Sequence, residues 1–176
     1  GLSWTVEPGD RFADGQGNYN SARIICLDSG HFRLYGGQRG LGIVSALSED
    51  GLTFTREPGV RIPRGGTYDT QIAFAPEVMS LPSGTVVMYY AGYQSSKKAY
   101  VLRATSRDGL NWEKETEPAI APDGRWDAAK SSEMCLFTLP GNGDISPRYR
   151  IVYEACDGTS PDQRGVWRIA TATSSP

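Results

Sequence analysis

A short unit recurs along the sequence, and this internal repeat limits the folds open to the chain. Residues 48–54 (SEDGLTF) match residues 106–112 (SRDGLNW), and each copy is followed within a few residues by Glu-Pro. Upstream of these units, residues 27–35 (LDSGHFRLY) parallel residues 81–89 (LPSGTVVMY). The chain therefore encodes the same strand, turn and strand twice.

A third copy of the repeat is looser. Residues 133–140 (EMCLFTLP) follow the first part of the pattern, and residues 165–174 (GVWRIATATS) parallel residues 100–106 (YVLRATS). The piece expected next stands at the other end of the chain, where residues 1–8 (GLSWTVEP) resemble the segment after Asp in the other copies. The sequence thus predicts three repeats, at approximately 1–50, 51–108 and 109–176, with residues 2–7 as the outermost strand of the last repeat.

Each repeat has the pattern of four short β-strands. Runs of Val, Ile, Tyr, Thr and Phe are bounded by Gly, Pro, Asn and Asp, and no stretch keeps helical apolar spacing over three turns. Four antiparallel strands recurring at about 50 residues are typical of a β-propeller blade. We therefore predict an all-β chain that forms a single β-propeller domain or half-propeller of three four-stranded blades.

Three blades do not close a ring by themselves. Propellers have roughly 4 to 8 blades, because each blade buries both faces against its neighbours. The chain could be part of a longer propeller, or two chains could form a six-bladed homodimer in which each lends its N-terminal strand to the other. The complementary chain ends favour the homodimer.

The charge balance argues against two classes of partner. The chain has 18 Lys and Arg against 20 Asp and Glu, a formal net charge of −2 with both signs mixed along its length. This balance does not favour nucleic acid, and no apolar run approaches the roughly 20 residues needed to cross a bilayer. We expect neither partner. The cellular location is unknown, with a secreted or periplasmic location open if an upstream signal was removed.

Residues that bind metals or form histidine-based triads are few. His31 is the single histidine, which argues against a catalytic triad and a multi-histidine metal site. We therefore predict no cofactor and no metal. Cys26, Cys135 and Cys156 lie in apolar runs without C-x-x-C spacing, and we predict that they are buried thiols.

The repeat unit resembles a known family. The S-x-D-G-x-x-W/F unit with its following Glu-Pro, together with residues 32–37 (FRLYGG), 75–78 (APEV) and 87–92 (VMYYAG), is similar to the five-bladed propeller glycoside hydrolases of the arabinanase, levansucrase and invertase type. The resemblance to the Asp boxes of sialidases is more distant, because these have one more residue between Asp and Gly. The resemblance implies a propeller fold, a carbohydrate ligand and hydrolysis of glycosidic bonds.

The two repeated Asp residues have a simpler explanation than catalysis. Asp50 and Asp108 precede a Gly, and Asp in this position caps its own turn through side-chain to backbone hydrogen bonds. The following Gly allows the positive φ that such a turn needs. We predict that these turns are structural, with Phe54 and Trp112 filling the gaps between blades, and that Trp4 and Trp167 also lie in blade contacts.

Chemistry in propellers is expected where the first strands of the blades converge on the axis. The repeat places Arg23, Glu77 and Glu133 at equivalent positions. Glycoside hydrolysis needs two carboxyl groups flanking the scissile bond, one as acid and one as base or nucleophile. Each of the three residues comes after an aromatic-polar pair: Tyr19-Asn20, Tyr68-Asp69 or Trp126-Asp127.

The resemblance implies an Asp of the first blade as base, a second Asp that tunes acidity and a Glu as general acid. On this basis Glu133 or Glu77 fills the acid role, and Asp69 matches an acidic member of the trio. The first blade departs from the pattern, because Asn20 and Arg23 stand where a carboxylate is expected. We predict Glu77, Glu133 and Asp69 as catalytic candidates and Arg23, Tyr68, Trp126 and Asp127 as substrate-binding candidates.

These residues leave more than one function open. Aromatic rings suit the apolar faces of sugars, but Tyr68 and Trp126 would serve equally in packing between blades. Arg23, Glu77 and Glu133 could instead form a tunnel lining of compensating charges. The first interpretation is a carbohydrate-active propeller, most simply a glycoside hydrolase. The alternative is a non-catalytic, lectin-like propeller or an incomplete part of a larger glycosidase.

Overall fold

The structure, a computed structural model, describes residues 1, 3–139, 148–158 and 165–174 of the 176-residue chain. Within these ranges all the regular secondary structure is β-strand, which confirms the predicted all-β class. The described residues include no helix that could span a membrane. The strands are β1 (Tyr19–Cys26), β2 (Phe32–Gln38), β3 (Gly42–Ser48), β4 (Thr55–Arg56), β5 (Ile62–Pro63), β6 (Ile72–Ser80), β7 (Val86–Ser95), β8 (Lys98–Ser106), β9 (Glu113–Lys114), β10 (Lys130–Leu139), β11 (Arg148–Cys156) and β12 (Trp167–Thr173).

These strands form three antiparallel units, which we call blades 1, 2 and 3. Blade 1 has the order β1-β2-β3-β4, with β5 also paired to β3, and blade 2 has the order β6-β7-β8-β9. In the described residues blade 3 contains β10-β11-β12, and one parallel contact between Lys130 and Ala99 links it to blade 2. We call β1, β6 and β10 the inner strands; β1 and β6 contact each other, as do β6 and β10.

The alternation of side chains along the strands produces two apolar clusters, one on each side of blade 2. Met88 and Tyr90 of β7 pack with Tyr35 of blade 1, whereas Ala91 of the same strand packs with Tyr153 of blade 3. Successive residues of a strand point to opposite faces of its sheet. Blade 2 is therefore buried on both faces.

Blades 1 and 3 each have one face that is not covered by another blade within the described residues. On blade 3 the uncovered face carries Phe137, Trp167 and Ile169, and Ile169 is 71% exposed. Along β12 exposed and half-buried residues alternate strictly. Such a patch of large apolar side chains is typical of a surface that another molecule or segment covers.

The N-terminal residues do not complete blade 3 within this chain. Residues 3–7 form no strand, and Trp4 and Val6 are 89% and 93% exposed. Residues 11 and 12 lie on the face of blade 1 that blade 2 does not cover. There Phe12 packs against a small apolar cluster, and the N–H of Phe54 donates to the Arg11 carbonyl at 3.2 Å. The expectation that Trp4 lies in a blade contact is therefore not met within one chain, and Trp167 is also partly exposed.

The prediction that all three cysteines are buried is wrong for two of them. Cys156 is buried, whereas Cys26 and Cys135 are exposed. Both exposed thiols lie on inner strands, Cys26 on β1 of blade 1 and Cys135 on β10 of blade 3. An apolar run in the sequence does not distinguish the covered face of a strand from its uncovered face, because the residues of both faces are apolar in a propeller blade.

The repeated Asp residues cap turns, as predicted. The Asp50 carboxylate accepts hydrogen bonds from the N–H groups of Leu52 and Thr53 at 2.8 Å, and Asp108 does the same in blade 2. Gly51 comes next with a φ of 72°, in the left-handed region that glycine adopts without strain. Trp112 packs against the cluster between blades 1 and 2, as predicted. Phe54 is buried instead against blade 1 and Phe12, so it does not fill a gap between blades.

The turn of blade 2 is fastened to blade 1 by three polar side chains, an arrangement that we call the turn latch. Arg33, Tyr35 and Arg61 of blade 1 donate to the carbonyls of the turn residues at 2.8 to 2.9 Å. The accepting residues are Asp108, Gly109 and Leu110. Glu57 holds the Arg33 guanidinium from the other side at 2.9 Å. Because both members of this ion pair are largely buried, each depends on the other for compensation.

We expect the substitution Arg33→Ala to destabilise the fold by roughly 3 kcal/mol or more, because it leaves the Glu57 carboxylate buried without its cation. Chemical denaturation followed by tryptophan fluorescence would measure the loss. Arg39→Ala is the matched control, because Arg39 is exposed and its removal should change stability by no more than about 0.5 kcal/mol. Equal losses in the two variants would contradict the role of the latch.

The Asp50 turn predicts a pH dependence of stability. Hydrogen bonds from Thr53 and Leu52 lower the pKa of Asp50 from 3.8 to about 2. A carboxyl group with a lower pKa in the folded state stabilises the fold above its ordinary pKa, and this contribution is lost as the pH falls. The melting temperature of Asp50→Asn should therefore lie below that of the wild type at pH 6, and the difference should shrink towards pH 2. Asp28→Asn, in an exposed turn, should show no such trend; a pH-independent difference for Asp50→Asn would contradict the prediction.

Candidate functional site

All three inner strands carry a β-bulge near the start of the strand. Two of the bulges contain a residue other than glycine with positive φ, Ser21 at 51° and Ala75 at 49°. A bulge redirects the side chains around it and recurs next to functional sites. The bulges lie between Asn20 and Arg23 on β1, Phe74 and Glu77 on β6, and Ser131 and Met134 on β10.

The structure corrects the predicted equivalence of Arg23, Glu77 and Glu133 by one residue. Arg23 and Glu77 are the first paired residues after their bulges, whereas Glu133 lies inside the bulge of β10. Met134 occupies the position equivalent to Arg23 and Glu77. Glu133 is half-buried. The sequence repeat places all three residues at the bulged part of their strands but does not resolve the register inside the bulge.

Arg23 and Glu77 form an ion pair between blades 1 and 2. The Arg23 Nε lies 2.5 Å from the Glu77 Oε2, and the Glu77 side chain is the more buried of the two. The guanidinium supplies Glu77 with a fixed cationic partner across the boundary between the blades. This pair fits the compensating polar lining that the sequence left open as an alternative to catalysis.

Asp69 is a buried structural carboxylate, and its surroundings argue against the predicted catalytic role. The side chain is almost fully buried. One oxygen accepts from the Gly66 N–H at 2.7 Å, and the other bonds the Lys114 Nζ at 2.6 Å and the Tyr90 hydroxyl at 3.2 Å. Burial first, and then the charge of Asp69, raise the pKa of Tyr90 far above its usual value. The carboxylate thereby joins the start of β6 to β7 and β9.

Asp127 has the same role at the start of blade 3, which argues against its predicted contact with substrate. It accepts from the Gly124 N–H at 3.0 Å, from Ser131 at 3.1 Å and from the Tyr153 hydroxyl at 3.0 Å. Burial and the hydrogen bond to Asp127 raise the pKa of Tyr153 to about 12. The spacing Gly-x-x-Asp, present at Gly66 and Gly124, was the sequence signal for this capping role.

The two aromatic candidates differ in exposure. Tyr68 packs inside blade 2, with its ring 4.8 Å from that of Tyr100 and its hydroxyl 3.2 Å from Glu117. Trp126 is half exposed, and the guanidinium carbons of Arg125 and Arg168 lie 4.6 and 5.4 Å from its ring. Of the two, Trp126 is the more exposed.

The bulge of β10 brings together a group of polar side chains that the repeat pattern does not reveal. The Ser132 hydroxyl donates to the Glu133 carboxylate, and the Tyr93 hydroxyl of blade 2 donates to Ser132 at 3.3 Å. Burial raises the pKa of Tyr93 to about 12, opposed by the Ser132 hydrogen bond and assisted by Glu133 and Glu154. Burial and Glu133 also raise the pKa of Glu154.

A sequence signal for Glu154 did exist. Residues 153–155 (YEA) parallel residues 89–91 (YYA) of blade 2, so that a carboxyl group replaces a phenol in the middle of an apolar strand. Within the part of the chain that the structure describes, no group of three or more His, Cys, Asp and Glu residues could hold a metal ion.

Comparison with known proteins identifies the fold. No protein-family model and no curated protein matches the chain. Among solved structures, the chain is similar to a thermostable family-43 glycoside hydrolase (TM-score 0.68, 16% identity, 94% of this chain and 60% of that chain covered). It is also similar to an α-L-arabinofuranosidase from Podospora anserina in complex with cellotriose (TM-score 0.68, 16% identity, 92% and 56% covered).

A third similar structure is an N-acetylgalactosamine deacetylase from F. plautii in complex with blood group B trisaccharide (TM-score 0.66, 22% identity, 98% and 58% covered). The chain thus spans a little over half the length of these structures. Their fold is the β-propeller of glycoside hydrolases, which confirms the resemblance seen in the repeat at the level of the fold.

Proposed function

We propose that this chain is part of a carbohydrate-active β-propeller, a glycoside hydrolase whose site forms at the bulged inner strands around Glu133. The observation that carries the proposal is the position of Glu133, in the bulge of an inner strand and without a Lys or Arg within ion-pair distance among the described residues. The glycoside hydrolase fold of the solved neighbours supports it.

The chemistry assigns different roles to the candidate residues. Hydrolysis of a glycosidic bond needs a carboxylic acid that protonates the departing oxygen and a second carboxylate on the other side of the bond. Glu133 suits the first role. Glu77, paired with Arg23, suits orientation or charge stabilisation, and Trp126 offers a stacking surface for the sugar. Asp69 and Asp127 each join strands within one blade.

One observation favours a second candidate function, carbohydrate binding without cleavage. Blade 1 supplies a cation, Arg23, at the bulged position where the family resemblance implies a basic carboxylate, and this cation neutralises Glu77. Proteins that share a fold can differ in chemistry, as the deacetylase among the structural neighbours illustrates. A lectin-like propeller would retain the sugar contacts of Trp126 and Arg23 without turnover.

A panel of aryl glycosides distinguishes the two functions. We expect wild type to hydrolyse at least one of them, and Glu133→Gln to lower kcat/KM by roughly 100-fold or more, the range for a general acid. The loss should be larger for substrates with poor leaving groups, because these depend more on protonation. Glu77→Gln should have a smaller effect.

Glu49→Gln, an exposed change in the blade 1 turn, is the control and should leave turnover unchanged. Binding of a sugar by wild type without any turnover would support the lectin-like function instead. Turnover that survives Glu133→Gln unchanged would remove Glu133 from the site.

We also propose that the uncovered blade faces are covered by a second copy, which gives the predicted six-bladed homodimer. In blade 1 the outer strand β4 pairs with β3, with Thr55 opposite Leu47. Directly after β4, the Glu57 N–H donates to the Ser45 carbonyl at 3.0 Å. The repeat aligns Thr5 with Thr55 and Thr173 with Leu47. Residues 3–7 of one copy would therefore extend β12 of the other.

Light scattering tests this assembly. We expect a particle of about twice the 19.1 kDa chain mass. Thr5→Pro should convert it to the monomer, because proline removes the strand's hydrogen-bond donor. Thr5→Ala keeps that donor and is the matched control, which should remain dimeric. A folded monomer in the wild type, or a dimer that Thr5→Pro does not disturb, would contradict the proposed pairing and leave blades of a longer polypeptide as the cover.

A further inference from the structure

The bulge of β10 sets two glutamates opposite each other. Ser131 pairs with Ala155 and Met134 pairs with Tyr153, so the two bulge residues Ser132 and Glu133 together face the single residue Glu154 of β11. In a bulge of this kind two residues of one strand oppose one residue of its partner. The placement of Glu133 and Glu154 results from the backbone register and not from a flexible loop.

Neither glutamate has the structural partners that occupy the other carboxylates near the inner strands. Asp69 bonds Lys114, and Glu77 bonds Arg23. Among the described residues, no Lys or Arg lies within ion-pair distance of Glu133 or Glu154. The hydrogen bond given to Glu133 comes from the neutral hydroxyl of Ser132.

The ionisable groups around the pair come from three strands. Tyr93 reaches in from β7 and interacts with both carboxyl groups, Lys130 of β10 lies with its Nζ 5.8 Å from the Tyr93 ring, and Cys156 lies further along β11. On β12 the residue paired with Glu154 is Ile169, which carries no charge. Glu154 is exposed at the sheet surface, yet partial desolvation of its carboxyl group and the charge of Glu133 both raise its pKa.

Resting on the proposed hydrolase function, we propose that Glu154 is the carboxyl partner of Glu133, a positioning residue whose charge acts on Glu133 across the β10 bulge. When two carboxyl groups lie close together, the charge of one opposes the ionisation of the other. In the reaction the Glu133 proton passes to the departing glycosidic oxygen, which keeps the electron pair of the broken C–O bond. Water supplies the hydroxyl group of the sugar and the proton that restores the pair.

This assignment replaces the partner predicted from the sequence. The family resemblance predicts Asp69 as the second acidic residue, but its oxygens are occupied by Gly66, Lys114 and Tyr90. Glu154 does not itself need to touch the sugar. Its effect on the reaction passes through Glu133, and it is therefore visible in how the pair titrates.

Carbon-detected NMR titration of the glutamate carboxyl groups tests the pair without any substrate. The Glu154 signal, identified by its absence from Glu154→Gln, should titrate above the ordinary glutamate range. In Glu133→Gln its midpoint should fall by roughly 0.5 unit or more, because the neighbouring negative charge is gone. Glu49→Gln should leave it unchanged. An ordinary Glu154 midpoint, or one that Glu133→Gln does not move, would overturn the proposal.

The pH dependence of kcat/KM on the aryl glycosides provides the second measurement. Glu154→Gln should shift the pH at which kcat/KM falls on the alkaline side, where the general acid loses its proton. Glu154→Asp should restore the wild-type profile in part. An unchanged profile in Glu154→Gln, with turnover intact, would overturn the positioning role while the hydrolase function stands. If no substrate is turned over, the hydrolase function fails, and a coupled titration would still support the carboxyl pair.

Discussion

Burial of both faces of each blade is the constraint on which this structure depends. Blade 2 meets it, because its strands send Met88 and Tyr90 to one side and Ala91 to the other. Blade 3 meets it on one face, and Trp167 and Ile169 stand partly exposed on the other. Covering one large apolar side chain contributes roughly 1.5–3 kcal/mol. A neighbouring blade would therefore stabilise blade 3 substantially, and it would also complete the surroundings of Glu154, whose strand neighbour Ile169 lies on that face.

Polar contacts fix the alignment of the blades, because hydrogen bonds are directional and apolar contacts are not. The turn latch is directional: three side chains of blade 1 bind three successive carbonyls of the blade 2 turn. Those carbonyls are held in place by Asp108, whose carboxylate binds the N–H groups of the same turn. In blade 2 the S-x-D-G unit thus has two functions, to close its own turn and to present carbonyls to the preceding blade.

The sequence predicted the fold well because the repeat is encoded locally. A turn such as Ser48 to Phe54 is determined by residues adjacent in the chain, and its capping bonds can be inferred from spacing alone. The site was harder to predict. Asp69 precedes an inner strand and Glu133 lies in the bulge of one. Nothing adjacent in sequence shows that Lys114 and Tyr90 reach Asp69. The same limit applies to Cys26 and Cys135, whose exposure depends on which blade face is covered.

The structure separates its acidic residues by the partners it provides. Asp69 and Asp127 receive hydrogen bonds from the backbone and from tyrosine hydroxyls. These bonds hold neighbouring strands together. Glu133 receives a neutral hydroxyl, and the charge of Glu133 acts on Glu154. A carboxylate surrounded by fixed donors gains nothing by accepting a proton, whereas a carboxyl group beside another carboxylate does. This contrast in partners supports the proposed proton transfer at the bulge of β10, where the backbone register sets Glu133 opposite Glu154. No Lys or Arg among the described residues lies within ion-pair distance of either glutamate.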